Sequence, residues 1–148
     1  MPAESTTPRL ELHQVTKRLR SGERELVVVD AVDLAVVPGE FLAILGPSGS
    51  GKSTLLGLAA GLDRPTAGEV RIDGRPIQDL SEGELARLRR GRVGFVFQSF
   101  QLLANLTALE NVLLPLELAG AAAPLERARR MLAEVGLAER EHHYPAQL

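Results

Sequence analysis

The chain has 148 residues, 45% of them hydrophobic, and its 17 Lys and Arg against 19 Asp and Glu leave a net charge of −2. This length and apolar content suit one domain with a sizeable core, and the near-balanced charge implies no nucleic-acid partner. Cysteine is absent, which excludes disulfides and thiolate metal sites, and no apolar run approaches the roughly 20 residues that span a bilayer. The longest run, 112–125, is interrupted by Pro115, Glu117, Gly120 and Pro124.

In chain order, 1–8 is polar and is expected to be a flexible N-terminus, with the folded part running over 9–148. Residues 9–16 read as a strand with Leu10, Leu12 and Val15 inward. A polar turn at 21–24 precedes the Val-rich stretch 26–37, which reads as one or two strands. After Pro38-Gly39, the short apolar run 41–45 suits a buried parallel strand. A Gly-rich loop follows, then a helix over about 52–60 that Gly61 closes and Pro65 prevents from resuming. Residues 69–77 read as a hairpin around Asp73-Gly74. Ser81 and Glu84 form a capping box that opens a helix to about Arg90. Its arginines, Arg87, Arg89, Arg90 and the following Arg92, stand beside Glu82 and Glu84 and read as a solvated face. Residues 93–97 form another short apolar strand. Thr107 and Glu110 make a second capping box, opening a helix toward Leu118. Leu125, Ala128, Leu132 and Val135 line a last helix that Gly136 ends. The class is α/β with a β-rich N-terminal layer.

One motif carries chemistry. Gly46-Pro47-Ser48-Gly49-Ser50-Gly51-Lys52-Ser53 matches G-x-x-x-x-G-K-[ST], with an apolar run before it and a helix after it. Glycines let successive N–H groups turn inward around phosphate oxygens, and the helix start adds its dipole and unpaired N–H groups. Lys52 is a compact cation able to reach the β- and γ-phosphates, and the Ser53 hydroxyl is a hard oxygen suited to Mg²⁺. Only Lys17 and Lys52 are lysines among the 17 basic residues, so lysine at 52 is a specific choice against the planar guanidinium.

The run 46–56, followed by Ala60-Gly61-Leu62-Asp63 and Thr66-Ala67-Gly68-Glu69-Val70, resembles the ATP-binding subunits of ABC transporters. Val93-Gly94-Phe95-Val96-Phe97-Gln98-Ser99-Phe100, with Leu106-Thr107 and Glu110-Asn111-Val112, is similar to the lipoprotein-release and macrolide-export class. The resemblance covers about 10–148. It implies a P-loop NTPase core with an N-terminal antiparallel β layer, ATP and Mg²⁺ as ligands, and a transport-coupled ATPase. It identifies 46–53 as the Walker A motif and extends the phosphate-binding set to Thr54. It also implies that Gln98, the Q-loop residue, touches Mg²⁺ and the attacking water and senses the membrane subunit. Read from the residues alone, Gln98 is a polar group at a strand end. The implied partners are an integral-membrane permease and a second ATP-binding subunit, at the cytoplasmic face of the membrane. Phe100, Leu102, Leu103 and Leu106 are read either as a docking patch for the permease or as part of a local core.

Two departures stand out. Leu19 occupies the position where the family has a Tyr that stacks on adenine; it has no π face, so adenine contact is expected to be weaker, with Arg18 or Arg20 left to stack. Tyr144-Pro145-Ala146-Gln147-Leu148 resembles the approach to the Ser-Gly-Gly signature, and the sequence ends there. The 148 residues are therefore expected to be the N-terminal part of a longer cassette, able to bind nucleotide but not to turn it over. An apolar edge is expected to be exposed at 41–45 and 93–97. Asp30 reads as a solvated strand end, and His142 and His143 as no metal site. A non-catalytic nucleotide-binding remnant with a regulatory role is the alternative. A GTPase or small-molecule kinase sharing only the phosphate loop is disfavoured: a GTPase needs an Asn/Thr-Lys-x-Asp motif downstream, and Thr16-Lys17 lies upstream and is followed by Arg18-Leu19.

Overall fold

The computed structural model describes residues 7–22 and 24–148. The expectation of a flexible start over 1–8 falls mostly on residues 1–6, outside the described residues. The chain divides into two compact units, Met1–Val93 and Gly94–Leu148.

The first unit is built on a four-stranded antiparallel sheet of order β2-β1-β3-β4: β1 (Leu10–Ser21), β2 (Arg24–Val36), β3 (Ala67–Ile72) and β4 (Arg75–Pro76). β3 and β4 are joined at Asp73 (φ 49°) and Gly74 (φ 72°), the two positive-φ residues that a tight twisted hairpin requires. Pro76, which has no N–H, stands on the edge strand, where none is needed.

Leu12 and Val15 are both buried although three residues apart. Strict alternation would place them on opposite faces. A bulge resolves this: Leu12 pairs with Leu34 and Val15 with Val32, so His13 and Gln14 together oppose Asp33. Gln14 takes φ 49°, and its N–H donates to Asp33 Oδ1 at 2.8 Å. On the other side of β1 the bulge meets Gly68, where a Cβ would lie 2.2 Å from the Gln14 carbonyl oxygen. Beyond residue 16, β1 continues to Ser21 because β2 supplies partners: Lys17 faces Val29, Arg18 faces Val27 and Leu19 faces Leu26. β2 is a single strand with irregular pairing on either side of Val29; the Ala31 N–H donates to Thr16 Oγ1 at 3.0 Å. Asp30 therefore lies inside β2, exposed, and not at a strand end.

Helices α1 (Lys52–Ala59) and α2 (Glu82–Arg89) cover one face of this sheet. Leu58 of α1 and Leu85 and Leu88 of α2 join Leu12, Val15, Val29, Val70, Ile72 and Ile77 in one buried cluster. Each such leucine contributes about 1.5–3 kcal/mol by leaving water. Gly61 ends α1 as read, with the Leu62 N–H donating to the Gly57 carbonyl at 2.9 Å. The capping box of α2 is formed: Ser81 Oγ accepts from the Glu84 N–H, and Glu84 Oε2 accepts from the Ser81 N–H at 2.9 Å. Those bonds from Ser81 hold the Glu84 carboxyl below the usual range. Arg87, Arg90 and Arg92 are solvated as read, but Arg89 is half-buried and donates to the Gly61 carbonyl.

The expected strands 41–45 and 93–97 are not formed. Among the described residues no neighbouring backbone bonds to 41–45, and an apolar run becomes a strand only beside one. Phe41 is 93% exposed, Leu45 89% and Val96 96%, so apolar side chains are exposed in both runs, but with no strand formed they are not the expected sheet edge.

The second unit pairs α3 (Ala108–Leu118) with α4 (Pro124–Glu134), followed by 3-10 turns at Ala138–Arg140 and Pro145–Gln147. Ala108, Leu109, Ala128 and Leu132 are buried between them. Leu125 and Val135, expected on the same face, are exposed. Val135 is the C-cap, at φ −101°, and has already left the helical stripe. The Thr107–Glu110 capping box is formed. The N–H groups of Ala108 and Leu109 donate to the carbonyls of His143 and Glu141, at 2.8 and 3.0 Å, which satisfies the start of α3. His142 is exposed and contacts Glu141; among the described residues no acidic and histidine cluster suits a metal.

One ion pair ties sheet to helix in the first unit. Lys17 Nζ donates to Asp63 Oδ1 at 2.7 Å and to the Arg64 carbonyl at 2.8 Å, and its side chain is only 13% exposed. Burial pushes the Asp63 carboxyl up, but the Lys17 hydrogen bond and charge, with the Arg64 N–H, hold it below the usual range. A depressed folded pKa gives stability that is present above the ordinary Asp value of about 3.9 and is lost as pH falls through the folded value. Asp63→Asn should therefore lower stability by about 1 kcal/mol at neutral pH. In urea melts across pH, its deficit against the parent chain should shrink below about pH 4.

Candidate functional site

The motif residues lie together in the first unit. Gly46, Pro47, Ser48, Gly49 and Ser50 form an exposed loop, tightened by the Ser50 N–H donating to the Pro47 carbonyl at 3.3 Å. Gly51 is the N-cap of α1, at φ 85°, and no side chain caps the helix. The first intrahelical bond runs from the Leu55 N–H to the Gly51 carbonyl at 2.8 Å. The N–H groups of Lys52, Ser53 and Thr54 precede it and remain available to an anion, which gives Thr54 a backbone role.

Lys52 folds back over this loop. Its Nζ donates to the Gly46 carbonyl at 2.9 Å, the Pro47 carbonyl at 2.7 Å and Ser50 Oγ at 3.3 Å. The ammonium is thereby held at the centre of the ring of loop backbone. Neutral carbonyls hold it less strongly than phosphate oxygens would, so the same ring can release it to an anion. Ser53 is exposed, and its hydroxyl makes no hydrogen bond among the described residues. A free hard oxygen one residue after the lysine fits a Mg²⁺ ligand. The loop and β2 together line a cavity of about 310 Å³ that includes Val28, Asp30, Gly46, Gly51 and Lys52.

The close approach of β2 is the feature that sequence reasoning missed. A Cβ on Gly51 would lie 2.3 Å from the Val28 carbonyl oxygen. Nothing in the Val-rich run marks Val28 as the residue that abuts the loop. Gln98 is exposed and belongs to the second unit, as do Phe100, Leu102 and Leu103, all exposed, and the half-buried Leu106. In the first unit, Leu19 is exposed on the β1–β2 hairpin, and Arg18 is paired with Glu25 at 3.2 Å. Asn111 anchors the turn before α3: its Nδ2 donates to the carbonyls of Leu103 at 3.1 Å, Leu106 at 3.0 Å and Thr107 at 2.9 Å, and its Oδ1 accepts from the Leu103 N–H at 2.9 Å.

A sequence profile of the ABC transporter family matches residues 29–148. The macrolide export ATP-binding/permease protein MacB of Marinobacter nauticus is 50% identical over 147 residues, which cover 97% of this chain and 23% of that protein. The protein named "Uncharacterized ABC transporter ATP-binding protein YbbA" of Escherichia coli K12 is 47% identical, over 100% of this chain and 64% of its own length. The ATP-binding cassette MJ0796, solved as a dimer in a post-hydrolysis state with ADP and Pi, superposes with a TM-score of 0.83 at 46% identity, covering 94% of this chain and 62% of that one. The chain thus spans less than a quarter of the MacB relative and under two thirds of the other two.

The two glycines of the loop tip are not equivalent. Gly49, at φ 79°, has open space around it, so Gly49→Ala should cost only the backbone strain, about 1–2 kcal/mol. Gly51→Ala adds a collision with the Val28 backbone. It should destabilise the chain by more than Gly49→Ala in denaturant melts and displace the start of α1, seen as shifted amide resonances for 52–55.

Proposed function

The chain belongs to the ABC transporter family, and on that footing we propose that it binds ATP with Mg²⁺ as the nucleotide-binding part of a transport ATPase. The observation that carries this reading is the loop 46–53 with the Lys52 ammonium at its centre and the uncapped start of α1 behind it.

The loop amides and the N–H groups of Lys52, Ser53 and Thr54 would take the phosphate oxygens. Lys52 would exchange the Gly46 and Pro47 carbonyls for the β- and γ-phosphates, replacing neutral acceptors with charged ones. Ser53 Oγ would hold Mg²⁺; Gln98, in the second unit, is the candidate for the Q-loop role. Mg²⁺ held there would supply charge neutralisation for the phosphates. We read 9–148 as part of one nucleotide-binding domain: the β layer, the phosphate-loop core and the start of a helical subdomain. The full-length protein would act as a homodimer of such domains at the cytoplasmic face. A permease would dock against Phe100, Leu102, Leu103 and Leu106, and hydrolysis would be coupled to export or extraction of a substrate through it. The apolar exposure of that loop and the MacB relatives support this assignment.

These 148 residues supply phosphate-binding groups but no identified base for water. Lys52→Ala should weaken MgATP binding at least tenfold by calorimetry. Steady-state phosphate release by the parent chain should not exceed that of the Lys52→Ala control. Absence of MgATP binding in the parent would overturn the reading. Binding with release above the control would show that the base is present after all. Binding that a permease does not modulate would favour the regulatory remnant.

A further inference from the structure

Arginines gather at a second place in the first unit. Arg75 of β4, Arg87 of α2 and Arg92 just beyond it line a cavity of about 260 Å³ with Glu84 and Leu88. None of these residues lines the phosphate-loop cavity.

The carboxylates here are already engaged. Glu84 Oε2 accepts from the Ser81 N–H at 2.9 Å and from Ser81 Oγ at 2.7 Å, as the capping box of α2 requires. Asp73 accepts from Arg9 at 2.8 Å and from Arg92 at 3.2 Å. Arg75 and Arg87 act on Glu84 only through their charge. Neither donates a hydrogen bond among the described residues. Of the residues that line the cavity, three are arginines and one, Glu84, is a carboxylate; Asp73, outside the lining, pairs with Arg9 and Arg92. Leu88 is the one apolar residue of the lining and is buried.

We propose that this cup binds a phosphate ester, held by the guanidinium groups of Arg75 and Arg87 with Arg92 at the rim. A guanidinium offers a planar fork that matches two phosphate oxygens at once, and two unengaged forks match the charge of a dianion. The cup takes the phosphate and leaves the ester substituent in solvent. A small soluble phosphate monoester and the monoester headgroup of phosphatidic acid therefore present the same chemistry to it.

The test uses glycerol phosphate, titrated by calorimetry, and phosphatidylcholine vesicles with and without phosphatidic acid, followed by co-sedimentation. The parent chain is compared with Arg75→Gln/Arg87→Gln and with Arg127→Gln/Arg130→Gln, exposed arginines of α4 that remove the same charge elsewhere. Affinity for the probe that binds should fall at least tenfold in the first double variant and stay within twofold in the second. Binding of glycerol phosphate identifies a soluble ester as the ligand; binding of phosphatidic acid vesicles alone identifies a lipid headgroup. The proposal is overturned if neither probe binds, if both double variants lose affinity equally, or if Lys52→Ala abolishes binding and so assigns the anion to the phosphate loop.

Discussion

A Cβ on Gly51 would sit 2.3 Å from the Val28 carbonyl oxygen, so the first turn of α1 rests directly on the backbone of β2. That approach decides where the phosphate loop stands. α1 cannot slide toward the sheet, because backbone already meets backbone. It cannot withdraw without exposing Leu58, which is buried with Val15, Val29 and Val70 beneath it. The loop is the short link between these constraints, and its amides and the Lys52 ammonium inherit their positions from them. A site that must surround a compact, highly charged group gains from such a fixed start, because little ordering remains to be done on binding.

The sheet reaches this arrangement by irregularity. The bulge at His13 and Gln14 turns Val15 inward beside Leu12, and the irregular pairing around Val29 lets β2 carry both a buried Val29 and a Val28 whose carbonyl meets the loop. Bulges sharpen local twist, and here they are held by side chains: Asp33 receives the Gln14 N–H, and Thr16 Oγ1 receives that of Ala31. Gly68 admits the Gln14 carbonyl from the other side. Lys17 then crosses from the sheet to the segment after α1, so both ends of that helix are tied to the β1–β2 hairpin.

The second unit is organised by a different device. Its two capping partners, Thr107 and Glu110, and the four hydrogen bonds of Asn111 define the turn that precedes α3. The turn needs them because its own apolar residues, Leu102 and Leu103, are about half exposed and bury only part of their surface. Polar side chains, rather than apolar burial, hold the backbone here.

Local chemistry was legible in the sequence wherever a few neighbouring residues decide the outcome. The capping boxes at Ser81 and Thr107, the hairpin at Asp73-Gly74, the end of α1 at Gly61 and the phosphate loop itself all follow from bonds made within about five residues. The ABC transporter family was legible for the same reason, since its motifs are contiguous. Tertiary structure decided what depends on a distant backbone. Runs 41–45 and 93–97 have the composition of buried strands, yet a strand exists only where another chain segment presents its N–H and C=O groups, and none does so for 41–45 among the described residues. The burial of both Leu12 and Val15, the place of Asp30 inside β2 and the contact of Val28 with Gly51 depend on register between strands. A one-residue shift there exchanges the faces of a strand without changing a letter of its sequence.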